Sequence, residues 1–381
     1  MSRESVTTDK LKILIATGIF PPQEGGPATY SALLLSKLPE LGFEPQIVNF
    51  GDVLRYPKIV RHFVYTALLI RAGWSSDIVY AQDPVSVGLP AVIASTLLRK
   101  KLVVKIVGDY AWEQGTQRFG VTDLLDEFSV NYKKYSLLTK LLKSVELFVA
   151  NHAVRIIVPS NYLKTIVSNW GVNPLNITVI YNAFDTPEIS ESKAELRVGY
   201  GYRTPTIISA GRLVPWKGFR TLIGIMPEII AEVPDAKLLI TGSGPDEHVL
   251  RADIEALSLQ NSVSLLGKIP HKDLLSMMKA SDLFALNTSY EGFSHLILEA
   301  LAVEVPIVTT RVGGNGEIIE DKKNGRLVPF DDKKELTLAI VQLLKQKGDA
   351  FAYSKEGART VSTFTTTRML AELSETFTKL L

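Results

Sequence analysis

The chain has 381 residues, 46% of them hydrophobic and 22% charged, which supplies a large core and excludes a disordered chain. Lys and Arg number 42 against 40 Asp and Glu, and the net charge of +2 gives no argument from bulk charge for a nucleic-acid partner. Cysteine is absent, which excludes disulfides, thiolate metal sites and cysteine nucleophiles. The polar start from Met1 to Lys10 lacks the pattern of a signal peptide. The longest uncharged run, Pro84–Leu98, is broken by Gly88 and Pro90 and falls short of the ~20 apolar residues of a bilayer span. A cytoplasmic protein is the expectation.

At this length two domains are expected. Short β-branched runs at Leu11–Ala16, Glu44–Phe50, Ile78–Ala81, Leu102–Val107, Arg155–Val158 and Ile177–Tyr181 predict buried strands. Helix-length segments, among them Thr29–Leu41, Val87–Arg99 and Tyr132–Ala150, separate them, and alternation of this kind implies a parallel sheet covered on both faces. The pattern stops over Asp185–Thr204, where a linker is placed. It resumes with strands at Thr206–Ala210, Lys237–Thr241, Val263–Leu266, Leu283–Leu286 and Pro306–Thr309, between helices around Thr221–Val233, His248–Leu257 and Phe293–Ala302. The prediction is an α/β chain of two Rossmann-like, doubly wound domains, residues 1–190 and 200–360, facing an interdomain cleft. A further helix at 362–381, after Asp332–Lys347, is expected to cross back to the first domain. Ligands of open α/β sheets bind at the carboxyl ends of the strands, so the cleft is the expected site.

Three loops there carry chemistry. In Tyr290-Glu291-Gly292-Phe293-Ser294-His295-Leu296-Ile297-Leu298-Glu299, two carboxylates stand eight positions apart. With a helix starting near Phe293, they are separated by up to about 12 Å, roughly the span from hexose to ribose in a nucleotide sugar. The N–H groups of Phe293, Ser294 and His295 then face a diphosphate. The alternative is a capping Glu291 and a solvated Glu299. In Gly211-Arg212-Leu213-Val214-Pro215-Trp216-Lys217-Gly218, a guanidinium and an ammonium suit a leaving diphosphate, or are two solvated surface cations. The paired Gly25 and Gly26 after the first strand allow close approach of backbone to a ligand, or form an ordinary turn.

These segments, with Asn182-Ala183-Phe184-Asp185, Gly242-Ser243-Gly244-Pro245 and Gly313-Gly314-Asn315-Gly316-Glu317 in the expected order, resemble the retaining glycosyltransferases of family 4, which have the GT-B fold. The Glu291…Glu299 stretch is similar to that family's E-x7-E motif. The resemblance implies a hexosyltransferase that uses a GDP- or UDP-sugar and a glycan, glycolipid or small hydroxyl acceptor, without a metal or other cofactor. It implies donor-binding roles for Gly25, Gly26, Arg212, Lys217, Gly244, Ile269, Gly292, Phe293, Ser294, His295, Leu296 and Glu299. Arg212 and Lys217 would hold the diphosphate, Glu299 the ribose, Glu291 the sugar hydroxyls, and Ile269 would frame the base. Where many members carry a histidine, this chain reads Val107-Gly108-Asp109-Tyr110, which makes Asp109, with Glu291, a candidate catalytic carboxylate or else a turn cap.

His152, His271 (after Pro270, in a loop) and His295 are assigned no proton transfer, and their spacing makes no metal set. Cations at Arg55, Lys58, Arg61, His62 and Arg71, at Arg99-Lys100-Lys101, and at Lys133, Lys134, Lys140 and Lys143 suggest peripheral contact with an anionic membrane, or solvated helix faces. Competing functions are a nucleotide-sugar-binding protein without transferase activity and an epimerase or phosphorylase of the same fold. A dinucleotide oxidoreductase is disfavoured, since Gly242-Ser243-Gly244-Pro245-Asp246-Glu247 lacks the third glycine of the fingerprint.

Overall fold

The computed structural model describes residues 10–23, 25–186 and 188–380. The expectations for Met1 onward, and those touching Glu24, Pro187 and Leu381, lie outside the described residues. The chain divides into two compact units. The first holds residues 10–159, Leu163–Ile180 and 370–380; the second holds Ser160–Tyr162 and Tyr181–Met369.

In the first unit the strands are β1 (Leu11–Thr17), β2 (Phe43–Asn49), β3 (Ile78–Ala81), β4 (Lys101–Lys105), β5 (Arg155–Val158) and β6 (Ile177–Val179). All pair in parallel, in the order β2-β1-β3-β4-β5-β6. The central strands read as unbroken apolar runs because both faces are covered: Ile13–Ala16 and Ile78–Ala81 are wholly buried. The helices are α1 (Gly26–Lys37), α2 (Lys58–Gly73), α3 (Gly88–Leu98), α4 (Tyr110–Arg118), α5 (Leu125–Asn131), α6 (Leu137–His152) and α7 (Asn161–Asn169). Right-handed crossovers put α2, α3 and α6 on one face of the sheet and α1 on the other.

The second unit begins with α8 (Lys193–Gly199), closed by a capping box between Ser192 and Glu195. The stretch expected as a linker, Asp185–Thr204, therefore carries a helix and belongs to this unit. Its Ser-x-x-Glu signal was readable, but the segment has too short an apolar face to announce a helix. The strands are β7 (Thr206–Ala210), β8 (Lys237–Thr241), β9 (Val263–Gly267), β10 (Leu283–Leu286), β11 (Ile307–Thr310) and β12 (Arg326–Val328), in the parallel order β12-β11-β10-β7-β8-β9. The helices between and after them are α9 (Phe219–Gly224), α10 (Met226–Glu232), α11 (Glu247–Ala256), α12 (His271–Ala280), α13 (His295–Ala302), α14 (Lys333–Lys345) and α15 (Lys347–Val361); the last helix, α16 (Thr366–Thr378), starts in this unit and from residue 370 onward belongs to the first.

One core layer joins Ile207, Leu238 and Leu283 to Leu222, Ile229, Leu336 and Ile340. The opposite layer joins Ile208, Phe284 and Ile307 to Met278, Ile297 and Leu301. The helix predicted over Thr221–Val233 is two helices, since Pro227 has no N–H to continue the ladder through Ile225. Strand order reverses between β7 and β10: β8 and β9 extend to one side, β11 and β12 to the other. The loops after β7 and β10 therefore flank a topological switch point, the place where open α/β sheets bind ligands.

Candidate functional site

Around that switch point four loops interlock through glycines. A Cβ on Gly218 would strike the carbonyl oxygen of Asn287, on Gly242 that of Gly211, and on Gly244 that of Leu213. On Gly313 it would strike the carbonyl oxygen of Glu291, and on Gly314 that of Gly292. Hydrogen bonds from Gly211 N to Thr241 O (3.0 Å), Leu213 N to Ser243 O (3.0 Å) and Gly314 N to Glu291 O (2.9 Å) stitch the same contacts. The loops after β8, β7, β10 and β11 thus form one continuous rim, whose close backbone approach admits no side chain.

This rim brings most of the predicted donor residues together. Lys217 forms an ion pair with Glu291, both largely buried. A Cβ on Gly211 would lie 3.7 Å from the Lys217 stem and from Leu296, so the cation loop meets the first turn of α13. Arg212 stands exposed on the same loop. Phe293 is buried and packs on the rings of Tyr181 (centroids 5.1 Å apart) and Phe364 (5.3 Å). The Gly292 carbonyl accepts from Ser160 Oγ (2.6 Å), and the Phe293 carbonyl from Asn182 Nδ2 (3.2 Å). Ile269 is half-buried against the same core layer.

Helix α13 starts at His295, two residues beyond Phe293, because Ser294 is its N-cap and accepts from Ile297 N (3.4 Å). The N–H groups aimed along the helix axis at its mouth are those of His295 and Leu296, while Phe293 and Ser294 belong to the preceding turn. Glu299 lies on α13 and is buried rather than solvated: its Oε1 accepts from His271 Nε2 at 3.0 Å, and its Oε2 is a buried oxygen without a hydrogen-bond partner among the described residues. His271 is the first residue of α12 and not a loop residue. The hydrogen bond to Glu299 raises its pKa above the ordinary histidine value, against the opposing effect of burial. No sequence signal announces this pairing, since the two residues lie on different helices 28 positions apart.

In the first unit, Gly25 (φ 138°) precedes α1, and Gly26 is its first residue. Asp109, expected as a catalytic carboxylate or else a turn cap, stands as a helix cap. It is wholly buried, caps α4 by accepting from Trp112 N (2.8 Å), and pairs with the equally buried Lys143, which also holds Glu146 Oε2 (3.1 Å). Two carboxylates share one ammonium there, and burial, reinforced by the charge of Asp109, pushes the Glu146 carboxyl up to about 8. Lys143 is therefore no part of the surface charge pattern expected for it. Among the described residues, no three His, Asp or Glu side chains are grouped to hold a metal, and no helix is long and apolar enough to cross a membrane.

Two doubly wound parallel sheets, the second carrying cations and carboxylates at its switch point, define a two-domain α/β protein of the GT-B fold. A solved structure of Anabaena Alr3699/HepE in complex with UDP-glucose shares it: the superposition covers 97% of this chain and 100% of that one, with TM-score 0.77 at 21% identity. The family description "Glycosyl transferases group 1" matches residues 198–360, and "Glycosyltransferase Family 4" matches residues 23–188. The chain belongs to glycosyltransferase family 4. It is similar to the GDP-mannose-dependent monoacylated alpha-(1-6)-phosphatidylinositol monomannoside mannosyltransferase of Corynebacterium glutamicum, 35% identical over 42% of this chain and 43% of that protein. It is also similar to the GDP-mannose-dependent alpha-(1-6)-phosphatidylinositol monomannoside mannosyltransferase of Mycolicibacterium smegmatis, 33% identical over 44% of this chain and 46% of that protein. The matched region spans less than half the length of either of these relatives.

Proposed function

We propose that the protein transfers a hexose from a GDP- or UDP-sugar to a hydroxyl of a glycolipid or glycan acceptor, with retention at the anomeric carbon and without a metal. The observation that carries this reading is the unpartnered, buried Oε2 of Glu299, on the same helix whose first turn meets the Lys217 loop. A buried acceptor oxygen of this kind suits ribose hydroxyls, which donate to it. Arg212 and Lys217 then clamp the diphosphate beside the N–H groups of His295 and Leu296. The diphosphate takes Lys217 from Glu291, which turns to the hexose hydroxyls.

In the reaction, the bond from the anomeric carbon to the phosphate oxygen breaks, with its electron pair leaving on the phosphate. The acceptor oxygen forms its bond to the same carbon on the same face, and its proton passes to the departing phosphate. Charge that grows on that phosphate is stabilised by Arg212 and Lys217, the role a divalent ion would otherwise fill. Asp109 serves this reaction as the cap that shapes the loop after β4. A lipid-linked acceptor is favoured by the phosphatidylinositol monomannoside in the names of those two relatives and by the apolar, cation-bearing outer face of α2, α3 and α6. The cytoplasmic surface of a membrane is the proposed location for the same reason.

The test is a thermal-shift screen of UDP-, GDP- and ADP-sugars, followed by calorimetry and product analysis on variants. Arg212→Ala and Glu299→Ala are each expected to weaken donor binding by about 10- to 100-fold, the value of a hydrogen bond to a charged group. Unchanged donor binding and transfer in both variants would refute the site. Tight binding without transfer across an acceptor panel would favour a nucleotide-sugar-binding protein instead.

A further inference from the structure

Glu299 is held in place by very little. On the α13 side it is flanked by wholly buried aliphatic residues, Leu298 and Ala300, which offer its carboxylate no donor. Among the described residues, one side chain hydrogen-bonds that carboxylate: His271, through Nε2 to Oε1 at 3.0 Å. The imidazole is itself braced, its ring edge-on to Phe184 with centroids 6.3 Å apart and planes at 85°. His271 opens α12, which packs against α13, and its backbone is part of a regular helix. A glutamate has three rotatable side-chain bonds, and an acceptor aimed at a ligand binds well only when its rotamer is set beforehand. Here that setting comes from a ring attached to a different helix.

We infer that His271 is a positioning residue: by holding Oε1 of Glu299 it directs Oε2 to the ribose hydroxyls of the donor and so sets the preference for ribonucleotides over their deoxy forms. This rests on the reading of Glu299 as the ribose acceptor given above. His271 touches neither the sugar that moves nor the phosphate that leaves, and its loss acts through the carboxylate alone. A ligand without ribose hydroxyls gains nothing from an aligned Oε2, so His271 is invisible to it.

The experiment is calorimetric titration of the wild-type protein, His271→Ala, His271→Gln and Glu299→Ala with GDP and UDP and with their 2′,3′-dideoxy counterparts. Thermal midpoints report on folding, and the exposed His271 side chain makes its variants tolerable to the fold. The wild type is expected to prefer the ribonucleotide by about tenfold or more, one hydrogen bond to a charged acceptor. His271→Ala should lose most of that preference by weakening ribonucleotide binding about five- to tenfold while dideoxy binding stays put. His271→Gln, whose amide N–H can reach the same oxygen, should retain the preference, and Glu299→Ala should abolish it.

If His271→Ala keeps the preference while Glu299→Ala loses it, the positioning role is wrong and the ribose reading stands. Should Glu299→Ala keep it, or the wild type show none, both fall. Equal weakening toward ribo and dideoxy ligands in His271→Ala marks a merely structural role and overturns the inference, as does a His271→Gln that behaves like His271→Ala.

Discussion

Lys105 ends β4 with its side chain buried, its Nζ 3.4 Å from the ring centroid of Tyr30 and no carboxylate in ion-pair reach among the described residues. Burial lowers its pKa to about 7. The unfolded chain, with an ordinary lysine, binds a proton between about pH 7 and 10 that the folded chain gives up, so this residue's contribution to stability rises with pH across that window. Lys105→Met is therefore expected to be more stable than the wild type near pH 6.5, by on the order of 4 kcal/mol, with the difference shrinking toward zero near pH 10. Urea unfolding of both proteins at the two pH values measures it, and a pH-independent difference would contradict the buried cation. The contrast with Lys143 is instructive. That lysine is equally buried, but it has Asp109 and Glu146 as partners and the Trp170 ring 3.4 Å away. One lysine type serves two ends, and local partners decide which.

Among the elements, the glycine-lined loops of the second sheet depend most sharply on atomic fit. Gly314 and Gly316 are two positions apart in one loop, yet a Cβ on Gly314 strikes the Gly292 carbonyl, while a Cβ on Gly316 meets nothing within 4 Å. Gly314→Ala should destabilise the protein by about 1–3 kcal/mol through overpacking against backbone that cannot yield, and should weaken donor binding because the Glu291–Gly292 turn is pushed aside. Gly316→Ala should leave both within error. Paired thermal melts and donor titrations of the two variants check this, and equal behaviour would show that the rim is not a packed unit. Helix α13 makes the complementary point: its Ser294 cap takes the Ile297 N–H, and the N–H groups of His295 and Leu296 stand at the helix mouth.

At the scale of the whole molecule, the first unit carries an outer face that water does not favour. Ile59 and Phe63 on α2, Trp74 just beyond it, Leu97 on α3, and Leu137 and Leu141 on α6 are each more than half exposed. Lys58 and Arg71 stand among them. Apolar side chains of this size beside cations match the boundary of an anionic bilayer. The protein should co-float with vesicles containing phosphatidylglycerol at low salt and far less with phosphatidylcholine alone. Lys58→Ala with Arg71→Ala should lower the partition coefficient by roughly tenfold or more, at about 1 kcal/mol per cation. Flotation indifferent to lipid charge and to both substitutions would remove the membrane from the proposal.

Architecture was legible in the sequence because a parallel sheet buried on both faces needs continuous apolar strands, and these stand out from residue types alone. Strands such as Ile78–Ala81 and Thr206–Ala210 could be read to the residue. So could the loops that carry Arg212, Lys217 and Glu291, since each follows a strand that points to the carboxyl end of its sheet. β12, three residues long, and α2, with cations spread along it, were not, because short or mixed patterns carry little periodic signal. Tertiary structure alone decided that Asp109 turns inward to Lys143, that His271 holds Glu299, and that Gly242, Gly244, Gly313 and Gly314 exist to let carbonyl groups approach. Those facts are distances between residues far apart in the chain, and the order of amino acids encodes such distances only through the fold they build together.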